Sequence, residues 1–380
     1  MTSADARAEI RGYHAVLAAA KNTTRYSSDL QGDRDVRDYK QIPLELDAPD
    51  HTAFRNAVQP LFMADAIAPK MPRFQALAAQ LIADIDARGG GDITTDLALP
   101  YVIGCLTIVY ERPQDYDEWL SWGPDVWLAD AYAAGEVTPE SQRAHRERRF
   151  DVESQRSGDA LHGYLARVFD DAEARALAGE PERDVWDTIA RLVVNDRTLT
   201  RDEMFGIASV LLAGGRDTVI KLITGLVWHL VKEPADREYL TGNPDAVART
   251  IAELGRFLSP LAKMERIERG PDGEALDYVI LNYASANHDA EAWGDPEVID
   301  IHRERKPNAA FGMGRHSCMG KAIAEHETRA FLSVLLRDWP DWVFSREPEI
   351  EWVIDGEGDD AIRIIDRFTS VPVRRATASA

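Results

Sequence analysis

Helices joined by small sheets are what this sequence predicts: an α+β chain, mainly α, folded as one domain over residues 1–380. Three observations lead to this class. Apolar residues recur at helical spacing through most of the chain, a strand-rich patch occupies 266–283, and alternation returns around 351–365. With 380 residues and 45% hydrophobic content, the chain can bury a large core.

Helical periodicity predicts a series of helices before the strand-rich patch and one more after it. Their predicted bounds are 8–21, 51–62, 66–88, 97–111, 115–133, 139–175, 184–194, 201–232 and 247–258, followed by 321–337. Within the patch, the residues 270–273 (Gly-Pro-Asp-Gly) have the composition of a turn between two strands. The charge-dense stretch 134–160 is typical of a solvated helix face.

Charge and cysteine content exclude several classes of function. The formal net charge of −21 speaks against nucleic acid and anionic membranes as partners. No stretch approaches the roughly 18 apolar residues of a membrane span, and the N-terminus lacks a hydrophobic signal segment, so we expect a soluble, cytoplasmic protein. The two cysteines, Cys105 and Cys318, form no disulfide framework, and the apolar run around Cys105 predicts a core position.

Cys318 lies in a loop with the pattern F-x-x-G-x-H-x-C-x-G over 311–320. Gly314 and Gly320 allow the backbone to fold tightly, so that amide N–H groups can point at the sulfur. The helix predicted from Lys321 onward adds the positive end of its dipole. Because thiolate is the metal-binding form of cysteine, the loop predicts a thiolate metal ligand. The alternative is a buried free cysteine in a turn.

A second chemical signal lies in the middle of the longest predicted helix, 201–232. Gly214 and Gly215 each cost a helix about 1 kcal/mol relative to alanine, so they need a reason. Close approach to a flat ligand is one reason, and tight helix packing is the other. Asp217 and Thr218 follow in the same turn, where a threonine hydroxyl can bind a backbone carbonyl and open the helix locally.

These two motifs together resemble the haem-binding loop and the oxygen-binding groove of the cytochrome P450 family, and the resemblance covers nearly all of 11–373. It implies the cytochrome P450 fold, with haem b between the long central helix and the Cys-loop helix and Cys318 as the axial thiolate ligand. Further haem contacts are implied for Phe311, Gly312, His316, Gly320 and Gly214. By the same resemblance, Thr218 steadies dioxygen and Asp217 helps to relay protons.

Glu253 and Arg256 resemble the buried ion pair of the family. The E-x-x-R spacing alone is weak, because it recurs at 140–143, 153–156 and 180–183, so position along the chain decides. The pair 253–256 follows the long central helix and precedes the strand-rich patch, as in the family. Its expected role is structural, holding the thiolate loop in register through bonds to 287–303.

The resemblance assigns the haem propionates to His51, Arg55, Arg266 and His316. His51 and Arg55 lie four residues apart, on one face of a predicted helix, and arginine suits carboxylates geometrically. Arg266 could instead be an ordinary strand arginine, and His51 a capping or surface histidine.

A mostly apolar substrate pocket is implied above the haem, although each of its residues could equally belong to the core. Its predicted members are Val210, Ala213, Gly214, Leu261 and Ala262. The stretch of about 134–165 is implied to be a mobile lid. Compared with soluble bacterial members of the family, we expect the chain to lack the usual N-terminal segment while keeping every haem motif.

The implied function is a haem-thiolate monooxygenase that oxidises a small, largely apolar substrate with O2 and two electrons from a ferredoxin and its NAD(P)H-dependent reductase. Basic residues near Cys318 are expected to dock the ferredoxin, against the alternative of internal ion pairs: Arg303, Arg305, Lys306, Arg315 and Lys321. Two other functions stay open. One is a peroxide-driven peroxygenase, which the retained Asp217-Thr218 pair disfavours. The other is a non-catalytic haem-binding protein.

Overall fold

The computed structural model describes residues 8–30, 38–138, 140–142, 144 and 158–376. Its α-helices include α1 (Tyr13–Lys21), α2 (Asp50–Val58), α3 (Ala64–Ile67), α4 (Met71–Ala87), α5 (Leu99–Tyr110), α6 (Tyr116–Ser121), α7 (Ala129–Ala134), α8 (Asp159–Leu177), α9 (Val185–Ile189), α10 (Arg201–Gly214), α11 (Asp217–Lys232), α12 (Pro234–Gly242), α13 (Val247–Leu258), α14 (Tyr283–Asn287), α15 (Ala290–Trp293) and α16 (Lys321–Asp338). The mainly α class predicted from periodicity is confirmed.

Short strands form small sheets at the edge of this helical body. They are β1 (Ala8–Ile10), β2 (Tyr26–Ser27), β3 (Gly91–Asp92), β4 (Val193–Val194), β5 (Arg197–Thr198), β6 (Lys263–Arg269), β7 (Ala275–Asn282), β8 (Trp342–Phe344), β9 (Glu349–Asp355), β10 (Ile362–Ser370) and β11 (Pro372–Arg375). The largest sheet has the order β1-β7-β6-β2, with β1 parallel to β7 and the other pairs antiparallel. Strands β6 and β7 form the predicted hairpin, in which Arg266 pairs with Val279.

The helix prediction was wrong in several places. The predicted helix 8–21 begins instead with β1, because Gly12 adopts a left-handed conformation (φ 80°) that separates strand from helix. The predicted 184–194 ends at Ile189 and continues into the β4–β5 hairpin. The predicted 201–232 is two helices, α10 and α11, and helix α12 was not predicted. In each case a short local signal outweighed the longer periodic pattern.

Part of one prediction cannot be compared. The predicted helix 139–175 overlaps α8, which begins at Asp159, but most residues between 139 and 157 lie outside the described residues. The same holds for most of the predicted lid at about 134–165 and for the charges at 145–151.

The most apolar helical segment lies in the core. It runs from a π-helical turn, Ile93–Ala98, into α5 without a break. Within the described residues, this stretch, Ile93–Tyr110, is the one helix long and apolar enough to cross a membrane, and 67% of it is buried inside the protein. Cys105 in its middle is fully buried, which confirms its predicted core position.

The fold brings distant parts of the chain around one cavity. Helix α11 packs against α13 and α16, and α16 packs against α4 and α5. The break between α10 and α11, the loop before α16, the start of β6 and helix α2 therefore face one another across the interior, although they come from widely separated parts of the sequence.

Candidate functional site

The loop 311–320 is shaped by two left-handed glycines. Gly312 has φ 67° and Gly314 has φ 72°, and a Cβ atom on Gly314 would lie 2.3 Å from the carbonyl oxygen of Ala20. The backbone N–H of Cys318 donates to the carbonyl of Phe311 at 2.8 Å, which closes the loop just before α16 begins at Lys321. Only glycine fits at position 314, since any side chain would collide with α1.

The loop opens on a cavity of about 270 Å³. Its wall includes Cys318 and several apolar side chains from four directions: Pro43 and Leu44 before α2, Phe62, Leu106 on α5, Val210 and Leu211 on α10, and Leu261 and Met264 beside β6. A deep, largely apolar cavity with a single thiol in its wall is suited to a flat apolar cofactor and an apolar ligand beside it.

The Cys318 thiol faces opposing electrostatic effects. Burial raises its pKa, while the backbone N–H groups of Gly320 and Lys321 and the charge of Arg55 lower it. The sulfur therefore needs a cation on the cavity side to be held as thiolate, because a bound metal ion deprotonates a coordinating thiol. Beside it, the Lys321 ammonium lies 5.7 Å from the centre of the Phe311 ring.

The two glycines of the central helix have different reasons. A Cβ atom on Gly214 would meet no atom of the described residues within 4 Å, and Gly214 borders the cavity. A Cβ atom on Gly215 would lie 2.9 Å from Cδ2 of Leu106 on α5. Gly214 therefore leaves room for a ligand, whereas Gly215 permits tight helix packing. The sequence alone left these two alternatives open.

Thr218 and Asp217 lie at the break between α10 and α11. The Thr218 hydroxyl borders the cavity and donates to the carbonyl of Gly214 at 3.2 Å. Asp217 is exposed and does not line the cavity wall formed by the described residues. The hydroxyl is thus placed between the cavity and a carboxylate nearer the protein surface.

Arg216, at the same break, was missed by sequence reasoning. Its Nε donates to the carbonyl of Leu212 at 3.0 Å, and its Nη1 donates to the carbonyls of Trp119 and Gly123, both at 2.9 Å. Burial lowers its pKa to about 10. The buried guanidinium ties the chain after α6 to the helix break. A charged residue inside an otherwise apolar helix was the signal that could have identified it.

Cationic and imidazole groups meet at one end of the cavity, where His51, Arg55, Arg266 and His316 all line the wall. The rings of His51 and His316 lie 4.1 Å apart. Both ring nitrogens of His51 and Nε2 of His316 are buried without a hydrogen-bond partner in the part of the chain that the structure describes. Orphaned buried polar atoms of this kind indicate a missing partner.

The charges at this end call for an anion. Burial and the charges of Arg55 and Arg315 lower the pKa of His51 to about 4. Burial and the charge of Arg266 lower the pKa of His316 to about 2. Both imidazoles are therefore neutral donors at neutral pH beside three guanidinium groups. A ligand with a flat apolar body and carboxylates at one edge fits both the donors and the charges.

Two of the predicted pocket residues do not reach the cavity wall. Ala213 packs against the main hydrophobic core, and Ala262 is buried with Ala284 and Ile364 in a separate cluster. The structure places Val210, Gly214 and Leu261 on the wall. Alternate faces of a helix or strand separate neighbours in sequence, so the correct face could not be chosen before the packing was known.

Several wall residues were not predicted. They include Pro43, Leu44, Phe62, Leu106, Tyr110, Met264, Tyr283 and Glu327. Most lie in apolar runs that also describe ordinary core, which left no signal in the sequence. Tyr110 shows why its polar tip is tolerated inside: its hydroxyl donates to the carbonyl of Leu211 at 2.9 Å.

The pair Glu253–Arg256 is buried as a bidentate contact. Arg256 is 0% exposed, and its Nε and Nη2 donate to the Glu253 carboxylate at 2.9 and 2.8 Å. The remaining donors bind the carbonyls of Asn287, Pro296 and Val298 at 2.8 to 3.0 Å. The guanidinium therefore ties α13 to the chain that leads to the cysteine loop.

The five basic residues near Cys318 do not all face outward. Arg303 is turned inward, with Nε 3.1 Å from Glu253 and Nη1 donating to the carbonyl of Trp293. The Lys306 ammonium lies 4.0 Å from the Trp293 ring. Arg305, Arg315 and Lys321 are exposed, although Arg315 also donates to Thr52 and Lys321 lies 3.8 Å from Glu325.

Glu327 adds an acidic group to the wall. It is buried on α16, and burial raises the pKa of its carboxyl to about 8. In the folded protein the carboxyl therefore keeps its proton across a pH range in which it ionises in the unfolded chain, and the folded state binds more protons there. Stability contributed by this group falls as the pH rises from about 4.5 to about 8.

We expect Glu327→Gln to stabilise the protein more at pH 8 than at pH 5, because glutamine removes the cost of keeping a buried carboxyl protonated. Heat unfolding at both pH values measures the difference in Tm between variant and parent. Glu325→Gln, two residues earlier on the same helix and partly exposed, is the matched control. A gain that is equal at both pH values, or equal in both variants, would contradict this account.

Comparison with known proteins gives a consistent picture. The profile of the cytochrome P450 family matches residues 276–340. Cytochrome P450 107B1 of Saccharopolyspora erythraea is 27% identical over 324 residues, which cover 81% of this chain and 73% of the relative. A steroid C26-monooxygenase of Mycolicibacterium smegmatis is 26% identical over 338 residues, covering 87% of this chain and 79% of the relative.

Among solved structures, one described as that of a carbohydrate active P450 superposes with a TM-score of 0.77 at 23% identity. The alignment covers 99% of this chain and 94% of that chain. At this identity the likeness concerns the fold, and it agrees with the helical body and small sheets described above.

Proposed function

Because this chain belongs to the cytochrome P450 family of oxidoreductases, we propose that it is a haem-thiolate monooxygenase acting on a small, largely apolar organic substrate. One observation carries the proposal: the Cys318 thiol opens on a largely apolar cavity, with the open face of Gly214 and the Thr218 hydroxyl also on its wall. A thiol, a glycine gap and a hydroxyl around one cavity match the needs of this chemistry.

The residues present fit haem b. Cys318 would be its axial ligand, and the unpartnered nitrogens of His51 and His316, with Arg55 and Arg266, would bind its two carboxylates. Haem, when bound, supplies the redox chemistry by which one atom of O2 enters a C–H bond and the other leaves as water, with two electrons and two protons consumed.

The protein itself contributes position, protons and dryness. The Thr218 hydroxyl, at the cavity edge, would hold a proton near the reacting oxygen, and exposed Asp217 would bring protons from solvent to it. The apolar walls from α5 and α10 exclude bulk water, which limits the waste of electrons in side reactions. Arg216 holds the helix break through carbonyls of the neighbouring chain.

Spectra and turnover of the haem-loaded enzyme test the proposal. Reduced protein with carbon monoxide should give the absorption band of a thiolate-ligated haem. Compounds that shift the ferric haem to high spin should then be oxidised with NAD(P)H, a ferredoxin and its reductase. Oxidation with hydrogen peroxide but not with the ferredoxin system would instead establish a peroxygenase. A normal spectrum with no turnover in either system would point to a non-catalytic haem-binding protein.

We further propose that the enzyme works in the cytoplasm and receives electrons from an acidic ferredoxin at the surface around Arg305, Arg315 and Lys321. These exposed basic side chains lie near the cysteine loop of an otherwise acidic protein. Complementary charge at a transient contact mainly raises the rate of encounter, so the effect should weaken with added salt.

Lys321→Glu should raise the apparent KM for the ferredoxin about tenfold at low salt, because it reverses a charge at the docking surface. The matched control is Arg337→Glu at the far end of the same helix, about 24 Å away by helix rise, which should change the KM little. Steady-state rates at several ferredoxin concentrations measure this. Equal KM values in both variants, each with a normal carbon monoxide spectrum, would remove this docking surface.

A further inference from the structure

A short segment before α2 lies directly on the central helix. This cap segment (residues 39–46) crosses α10 at Gly206, where a Cβ atom would lie 2.1 Å from the carbonyl oxygen of Lys40. The backbone N–H of Ile42 donates to the carbonyl of Gly206 at 3.2 Å. Because glycine inside a helix costs about 1 kcal/mol relative to alanine, its presence here is explained by this contact.

The cap segment is braced from within. The backbone N–H of Gln41 donates to the Glu45 carboxylate at 2.8 Å, and the N–H of Glu45 donates to the carbonyl of Gln41 at 2.8 Å. Tyr39 is buried and meets the ring of Phe205 edge-on, with ring centres 5.8 Å apart. With its backbone paired and its aromatic side chain packed, the segment is held in one position on α10.

The same segment forms part of the cavity wall. Pro43 and Leu44 border the cavity, and so does Val210, which lies one turn after Gly206 on the same face of α10. The contact at Gly206 and this apolar wall therefore belong to one helix face. The distance between the cap segment and α10 sets how far Pro43 and Leu44 reach into the cavity.

We propose that the contact between Gly206 and the cap segment determines substrate size, restricting this enzyme to compact apolar substrates. The inference rests on the proposed function, since it concerns ligands bound beside the haem. A methyl group at position 206 has to displace the Lys40 carbonyl from 2.1 Å to at least the 3.4 Å of ordinary contact. The cap segment would then retreat by more than an ångström and carry Pro43 and Leu44 away from the cavity.

Imidazole and 4-phenylimidazole, which bind ferric haem and differ by one ring, test the proposal by spectral titration of the haem-loaded enzyme. Gly206→Ala should raise the affinity for 4-phenylimidazole about fivefold or more while leaving that for imidazole nearly unchanged. Gly163→Ala is the matched control, since Gly163 lies on an exposed face of α8 and its Cβ would meet no atom of the described residues within 4 Å. It should change neither affinity.

Leu44→Ala provides a second route to the same result, because it shortens the wall without disturbing α10 and serves if Gly206→Ala does not fold. A gain confined to the larger ligand in either variant supports the proposal. Unchanged affinities, or an equal gain for both ligands, overturn it. Failure of the parent enzyme to bind even imidazole would count against the proposed function itself, and so the two failures are distinguishable.

Discussion

Replacing Cys318 with serine will remove the absorption band of the reduced carbon monoxide complex and lower product formation by at least about 100-fold, above the range usual for losing a supporting group at a metal site. Serine keeps the size of the side chain but offers a hydroxyl, which is far harder to deprotonate than a thiol and a poorer donor to iron. The loop should keep its shape, because its closing bond joins the backbone of residue 318 to the Phe311 carbonyl.

Cys105→Ala is the matched control for this experiment. Cys105 is fully buried in the core on α5 and does not line the cavity wall formed by the described residues. Its replacement should leave the spectrum and product formation close to those of the parent, apart from a modest loss of stability. A Cys318→Ser protein with the parent spectrum and activity would contradict the assignment of the haem ligand and with it the proposed function.

Arg256→Met is expected to produce the largest loss of stability, about 3–5 kcal/mol in the free energy of unfolding. The change leaves the buried carboxylate of Glu253 short of its bidentate partner and removes the donors to the carbonyls of Asn287, Pro296 and Val298. Since those carbonyls belong to the chain that leads to the cysteine loop, weaker retention of haem should accompany the loss.

Urea unfolding measures the free energy, and Arg337→Met is the control. Arg337 forms an exposed ion pair with Asp338 on the last turn of α16, and such surface pairs contribute about 0–1 kcal/mol. Similar losses in the two variants would mean that the buried pair is no more important than a surface pair, contrary to its geometry.

Local patterns were enough to predict most of the helical body and the β6–β7 hairpin. The cysteine loop could also be identified, because its glycines and the following helix are encoded within about ten neighbouring residues. The break after Gly214 was not predicted, since continuous apolar periodicity hid it. Its cause, the Arg216 side chain bound to the carbonyls of Trp119 and Gly123, lies some hundred residues away in sequence.

The spacing E-x-x-R shows the same limit from another side. At 180–183 the sequence has the same spacing as at 253–256, yet Glu180 pairs with Arg175 and Arg183 with Asp171 and Asp187. Only the packing of α13 against the chain around Asn287 makes one of these pairs buried. Spacing says which residues share a helix face, and it does not say what that face meets.

The sequence by itself determined the class of fold, the thiol and its loop, and the glycine, acid and hydroxyl of the central helix, because each is written in consecutive residues. Tertiary structure alone decided that His51 and His316 stack at one end of a cavity, that Val210 rather than Ala213 faces it, and that the cap segment rests on Gly206. These are contacts between residues far apart in the chain, and they exist only once burial of the core has fixed how the helices pack.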